Sequence, residues 1–363
     1  MGYVAVQGGI TAIENSEKLN RYLRSRGDSA PLSVLQIIEQ MGLLVDKVMG
    51  EGGLYSAFHA ALAIKQASGD PLEAAFLLRA YRSTLRRLAD SLPVRTAEMR
   101  IHRRISAAFK TIPGGQVLGS TSDYEQRILD FSLAKESEDA RREAVRAFES
   151  GLVDNEETLH PEHFRPVIDM LRSQGLADKA PAASTEELTD ITQESPAFPM
   201  ERSGRLQMLA RAETGGVLAL AYSSMRGYGM VHPTVAELRV GAVRVQMPHP
   251  WRKGAVVTLG SIALTEVEIV ASPEKSEGDE KPVFPMGYGC CFGHNEVKAI
   301  SAAVLDRAMR AAAPHAPAED AEFVLMHTDG VESSGFCSHF KLPHYVTFQA
   351  DLARLRSMRG TDE

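Results

Sequence analysis

Cysteine, tryptophan and long apolar runs are all scarce in this chain of 363 residues, which has three cysteines and one tryptophan. Cys290 and Cys291 are adjacent and poorly placed to bond each other, and Cys337 makes the count odd. That pattern suits a reducing compartment. No CxxC pair occurs, which argues against a structural zinc finger. No GxxxxGK[ST] occurs, so the chain is no P-loop ATPase. No apolar run is long enough to span a bilayer, so no membrane partner is expected. The opening MGYVAVQGGITAIENSEKLN lacks the basic segment and long apolar core of a signal peptide, and Val6 stands where a myristoylation signal carries Ser or Thr. The expected location is the cytoplasm. Strong positive charge is missing too: the net charge is −7, which argues against bulk nucleic-acid binding but leaves room for a local basic pocket.

What is present is an ordinary globular composition, 44% hydrophobic and 24% charged, over a length that allows two domains. YVAVQGG (3–9) reads as a short strand ending in a glycine turn. Helical spacing of apolar residues predicts helices over 33–49, near 55–68, 71–90 and 97–110, and near 122–134 and 136–150. The stretch 151–200 turns polar and proline-bearing and reads as a connection. After it come a helix at 203–213 and strands at 215–223, 236–247, 255–271, 283–292 and 322–328. A charged loop (272–282) and helices at 294–312 and 345–358 complete the chain. The expected fold class is α+β, a helical N-terminal half followed by a mixed β-sheet half with flanking helices. The expected division is a helical domain at 1–150, a polar connecting segment at 151–200 and an α+β domain at 201–363.

Three stretches could carry chemistry. EFVLMHTDGVESSGFCSHFKLPHY (322–345) gathers His327, Asp329, Glu332, Cys337, His339 and His344. Its last part, CSHFKLPHY, reads as strand or loop, because Pro343 opposes a helix and histidines five apart diverge on one. If the backbone turns there, His339 and His344 make half of a metal site; the plainer alternative is two locally bonded histidines and a core cysteine. A basic run includes Arg79, Arg82 and Arg86 at helical spacing, then Arg103, Arg104 and Lys110. The turn IPGGQVLGS follows, where Gly114 and Gly115 would let backbone N–H groups approach an anion. The alternative there is a solvated helix face and an ordinary turn. Finally, Glu237, Arg239, Glu266 and Glu268 suit an ion-paired network better than a pocket, and PMGYGCCFG is a glycine-rich strand suited to close packing.

YVAVQGG, LLRAYRSTL, RRISAAFKTIPGGQVLG, LALAYSSMRGYG, LTEVE, GYGCCFG and the whole block 322–345 together resemble the PhnI family, subunits of the bacterial carbon–phosphorus lyase core complex. The resemblance runs to about residue 350 and weakens at 135–200 and 272–282. It implies a ribosyl (glycosyl) transferase of phosphonate catabolism, with ATP as substrate. Methylphosphonate displaces adenine to give α-D-ribose 1-methylphosphonate 5-triphosphate, and the chain alone acts as a purine nucleoside triphosphate nucleosidase. It implies as partners the core subunits G, H and J and the ATP-binding L subunit, with two copies of this chain per core complex. It also implies a Zn2+ ion near the contact with J, held by His339 and His344.

Loss of adenine leaves an oxocarbenium-like ribosyl centre, which a carboxylate would stabilise while an acid protonates the purine. Asp329 and Glu332 are the candidate carboxylates, and His327 is the candidate acid. Arg79, Arg82, Arg103, Arg104 and Lys110 are the candidate cations for the triphosphate. Two other classes compete: a non-catalytic, zinc-holding scaffold, and an independent zinc hydrolase, which would need three ligands from this chain.

Overall fold

The computed structural model describes residues 8–151, 165–179, 188–226, 232–275, 281–311, 313–342 and 345–360. Most of the strand expected at 3–9 lies outside these residues, and its final glycine opens helix α1 (Gly9–Ser25), which buries no residue. Next come α2 (Val34–Gln40), α3 (Gly42–Gly52), α4 (Ala57–Gln66) and α5 (Pro71–Ser83). The single helix expected at 33–49 is therefore two. Met41 leaves helical geometry (φ −121°, ψ 36°) just before Gly42, a weak helix former. Local chemistry sets most of these boundaries. Ser33 and Gln36 form a reciprocal capping box on α2. Gly53 ends α3 in a left-handed conformation (φ 67°). Asp70 caps α5, with Pro71 in its first turn. The four helices enclose one apolar core around Ile37, Val48, Met49, Ile64 and Leu78.

Strand β1 (Arg100–Ile105) replaces the helix expected at 97–110. It adds to a sheet built otherwise from the C-terminal half: β2 (Thr234–Pro248), β3 (Val256–Val270) and β4 (Met286–Phe292), in the order β1-β2-β3-β4. Every pairing of these strands is antiparallel. Residues 122–134 form no α-helix, only a short turn of 3-10 helix at Phe131–Lys135. Helix α6 (Glu138–Gly151) follows, and α7 (Val167–Ser173) packs Val167, Ile168 and Leu171 against Ala236, Val270 and Met286.

Helices α8 (Arg202–Arg211) and α9 (Thr214–Met225) come before β2. The strand expected at 215–223 is thus a helix, started by Glu213, whose carboxylate accepts from Gly215 N (2.8 Å) and Gly216 N (2.5 Å). Helix α10 (Glu296–Ala308) follows β4, and then come α11 (Ala321–His327), α12 (Gly330–His339) and α13 (Tyr345–Arg359). The strand expected at 322–328 is α11, capped by Asp320 on Phe323 N at 3.0 Å. Helix α10 lies directly on β4. A Cβ on Gly287 would stand 2.0 Å from Ala303 O, and one on Gly289 2.0 Å from Ala299 O. The glycines of PMGYGCCFG therefore serve close packing. The main core lies between this sheet and α8–α11, around Leu238, Val267, Ile269, Ala299, Leu305 and Leu325. The fold is α+β.

Candidate functional site

Arg79 and Arg82 project from one face of α5. The Arg79 guanidinium bonds Asp329 twice, at 3.0 and 2.7 Å, and donates to Glu51 O at 2.8 Å. Arg211, at the end of α8, approaches the same carboxylate at 3.6 Å. Arg82 donates to Gly53 O at 3.5 Å. Asp329 is also the cap of α12, accepting from Val331 N at 3.1 Å and Glu332 N at 3.3 Å, and it is buried. Burial, and then the charge of Arg79, lowers the pKa of both Arg82 and Arg211. Two partly buried guanidiniums, Arg79 and Arg211, thus share one buried carboxylate, while Arg82 lies beside them with the charge of Asp190 acting on it. Glu332 is exposed, and its charge acts on Arg211. The outward guanidinium groups of Arg82 and Arg211 can still receive the oxygens of an anion.

A cavity of about 350 Å³ adjoins the cluster, and Arg82 and Arg211 line it. The remaining lining is mostly apolar, from α8 and from Leu264, Tyr288, Cys290 and Phe292. Gly50 and Cys291 form part of its wall, and Lys298 stands behind them. An ideal Cβ on Gly50 would be 3.4 Å from Lys298 Nζ. Lys298 is 1% exposed, and its Nζ has no hydrogen-bond partner among the described residues. Burial lowers its pKa. Burial raises that of Glu51, against the pull of Lys298 and of Thr214, whose N–H and hydroxyl donate to Glu51 at 3.0 and 2.9 Å.

Glu266 and Glu268 share one face of β3. Glu266 pairs with Arg239 and accepts from Tyr288 OH and Thr96 Oγ1, each at 2.8 Å. Burial, then the charge of Glu266, pushes the Glu268 carboxyl up to about 7. The ion-paired reading of this stretch holds, and Tyr288 joins the network to the cavity wall.

The other expected residues fall in different surroundings. Arg103 reaches Glu296 at 2.7 Å, Asp123 at 2.5 Å and Leu118 O at 2.6 Å. Arg104 pairs with Glu237 in the core and donates to carbonyls of Pro113, Gly115 and Arg165. Gly114 and Gly115 take left-handed conformations (φ 79° and 77°) in that turn, which aims carbonyl oxygens at Arg104. Lys110 is exposed. His327 Nδ1 lies 2.6 Å from Phe323 O, with the side chain exposed.

His339 sits in the last turn of α12, not in the strand or loop expected, because Asp329 starts a helix that runs on until shortly before Pro343. Its Nδ1 bonds Phe336 O, which only accepts, so Nδ1 carries a proton, as it does in an imidazole that binds zinc through Nε2. His344 lies outside the described residues. Among the described residues no group of three or more His, Cys, Asp or Glu side chains could hold a metal ion. His339 therefore fits a zinc ligand in tautomer, and a complete site needs ligands from elsewhere.

Sequence reasoning missed Arg211, Glu51, Lys298 and the Tyr288–Cys290 edge. Lys298 alone left a trace: it falls on the buried stripe of α10 with Ala302 and Leu305.

The sequence model of the family described as bacterial phosphonate metabolism protein (PhnI) matches residues 2–362. The chain belongs to the PhnI family. Among PhnI-related proteins, HtxH of Stutzerimonas stutzeri, named as a C-P lyase subunit protein, is 51% identical, covering 98% of this chain and 96% of that protein. The Escherichia coli protein named alpha-D-ribose 1-methylphosphonate 5-triphosphate synthase subunit PhnI is 47% identical, covering 98% of both chains. Its namesake from Rhizobium meliloti is 45% identical, covering 98% of this chain and 95% of that one.

Proposed function

We propose that this PhnI-family chain is a subunit of a carbon–phosphorus lyase assembly. In it, methylphosphonate displaces adenine from ATP to give α-D-ribose 1-methylphosphonate 5-triphosphate. The observation that carries this reading is the full-length relationship to two proteins named as subunits of that synthase. In the step, the bond from C1′ to the purine nitrogen breaks and its electron pair leaves with adenine, which takes up a proton. A phosphonate oxygen then forms the new bond to C1′. With water in place of the phosphonate, the same site is a nucleosidase.

The cluster of Arg79, Arg82 and Arg211 is the proposed seat of the triphosphate. Arg82 and Arg211 face the cavity, with Arg79 held behind them by Asp329, whereas the guanidiniums of Arg103 and Arg104 are taken up by carboxylates and carbonyls elsewhere. Lys110 and the Gly114–Gly115 turn are then peripheral. Glu332, exposed beside Arg211, is the proposed carboxylate for the ribosyl cation, and His327 is the proposed acid. Asp329, held by Arg79, is a positioning residue in this scheme.

His339 and His344 are the proposed zinc ligands, with a partner subunit or solvent completing the set. A zinc ion there would act as a Lewis acid toward a bound oxygen. The proposed partners are subunits G, H, J and L, with two copies of this chain per assembly in the cytoplasm. The proposed organisation keeps a helical part before residue 150, a connection, and an α+β part after 200, with β1 crossing between them.

A scaffold without activity is the second reading. It is favoured by the apolar side chains Tyr124, Ile128, Leu129 and Phe131, each at least 75% exposed, which suit a partner surface. Adenine release from ATP by the purified chain decides between them, run beside Glu332→Gln, Asp329→Asn and the double variant His339→Ala/His344→Ala. Release by the wild type, lost in Glu332→Gln and kept in the histidine variant, supports the catalytic reading. An inert chain that stays inert with its partners added sinks it.

A further inference from the structure

We propose that the free edge of β4 reads the base of the nucleotide inside the cavity. The Tyr288 carbonyl accepts from the adenine amino group, and the Cys290 N–H donates to ring N1. The proposal rests on the ATP reading above and adds the recognition that reading lacks.

The argument begins with strand parity. Among the described residues β4 pairs only with β3, so its other side is an open edge. Tyr288 pairs with Glu268, yet its N–H donates to Asp306 Oδ2 at 2.9 Å, away from β3. Gly293 N, of the opposite parity, donates toward the β3 side to Ala263 O at 2.8 Å. Antiparallel ladders alternate in this way, so residues 288, 290 and 292 all turn their backbone groups outward. Tyr288 N–H is satisfied by Asp306. No described group bonds the Cys290 N–H.

A strand edge left open inside a protein is normally covered or paired, and a buried amide without a partner is costly. Here the open edge faces a part-enclosed cavity, and Tyr288, Cys290 and Phe292 are each half-buried. Tyr288, Gly289, Cys290, Cys291 and Phe292 line the cavity beneath α8. Its volume of about 350 Å³ lies in the range of small-molecule sites and holds a bicyclic base with room for a sugar. Leu206, Leu209 and Phe292 offer apolar surface to the faces of a flat ring.

An extended edge presents the carbonyl of one residue next to the N–H of the second residue on. Adenine presents an amino donor next to a ring-nitrogen acceptor, the complementary pair. Arg82 and Arg211 line the same space, so a ligand seated this way has cations for its anionic tail. A peptide strand would use the same edge but needs a groove open along its length, and α8 packs against β4 here.

The first test needs no variant. Binding of ATP, 7-deaza-ATP, 1-deaza-ATP and N6,N6-dimethyl-ATP to the full chain is measured by titration calorimetry. The expected order is ATP and 7-deaza-ATP equal, with the other two weaker by about tenfold, because each leaves one edge group unpaired. Four equal affinities overturn the proposal.

Two substitutions add an independent arm. Ala210→Trp fills the cavity and should abolish ATP binding while inorganic tripolyphosphate still binds. Cys290→Pro removes the outward N–H together with the thiol, at a position where an edge strand accepts proline, and should weaken ATP about tenfold relative to Cys290→Ala, which removes the thiol alone. ATP binding by Ala210→Trp equal to wild type overturns the proposal as well. The two readings fail separately. Equal affinity for all four nucleotides, with adenine still released from ATP, removes the edge recognition and leaves the enzyme. The expected binding order with no adenine released, even with partners, removes the enzyme and leaves the site.

Discussion

Arg79 and Asp329 stand 250 residues apart in the chain and meet through two hydrogen bonds, at 3.0 and 2.7 Å. The pair fastens α5 to the start of α12, and the second arm of Arg79 fastens α5 to the end of α3 through Glu51 O at 2.8 Å. Two residues with separate expected roles, a phosphate cation and a catalytic carboxylate, thus form one unit that also holds Arg211.

Asp329→Asn should leave two partly buried guanidiniums without their counter-charge. A loss of about 3 kcal/mol in unfolding free energy is expected, since removing one partner of a buried pair strands the other. Urea unfolding measures it. A change below about 1 kcal/mol would mean that solvent screens the pair.

Arg104→Met and Arg82→Met should behave oppositely. Arg104 is fully buried against Glu237, so its loss should cost about 3 kcal/mol of stability and leave the ATP affinity of the folded protein unchanged. Arg82 is half-buried at the cavity, so its loss should spare the melting temperature and weaken ATP about tenfold. Thermal melts and ATP titrations on both variants separate the roles. A drop in ATP affinity for folded Arg104→Met would restore that arginine to the phosphate site.

Glu268 should make stability depend on pH. Its carboxyl holds a proton up to about 7 when folded, against 4.5 for the ordinary value. Between those pH values the folded state binds more protons than the unfolded chain, so stability falls as pH rises and is greatest below 4.5. The full span is worth about 3 kcal/mol. Glu268→Gln should therefore gain on the wild type by up to that amount between pH 5 and 7.5. An equal difference at both pH values would show that Glu268 titrates normally.

Gly289→Ala should destabilise by about 2–3 kcal/mol through overpacking, because the new methyl would meet the Ala299 carbonyl of α10. The β4 edge would move with it, so ATP binding should fall in the folded protein. A melting temperature equal to wild type would show that α10 can shift freely.

Zinc should be held weakly by the chain alone. Chelator dialysis should strip it without changing adenine release or the melting temperature, whereas the assembled complex should retain it. Metal analysis of both preparations checks this. Tight retention by the single chain would place a full ligand set within it.

Much of the secondary structure was legible. Helical spacing and caps marked α2 to α5 and α10, and β-branched runs marked β2 and β3. The failures share a cause. Short apolar runs such as VLALA at 217–221 and FVLM at 323–326 suit a strand or a helix equally, and only a cap decides. Those caps, Glu213 and Asp320, stood in the sequence just ahead of each run. Residues 100–105 could not be read in the same way, since their conformation comes from pairing with β2, more than a hundred residues on. The site was legible by residue type but not by grouping. Arg79 and Arg82 stood out as cations, while nothing local distinguished Arg211 from any other helix-end arginine.

The sequence by itself determined the α+β class, the family and the lack of any helix made to cross a membrane, because these rest on local spacing, composition and long motif matches. Tertiary structure decided which charges meet. Arg104 is spent on Glu237, Arg79 on Asp329, and Arg82 and Arg211 are left facing a cavity. A charge acts through the groups within a few ångströms of it, and the carboxylates that hold Arg79, Arg104 and Arg211 lie more than a hundred residues away along the sequence.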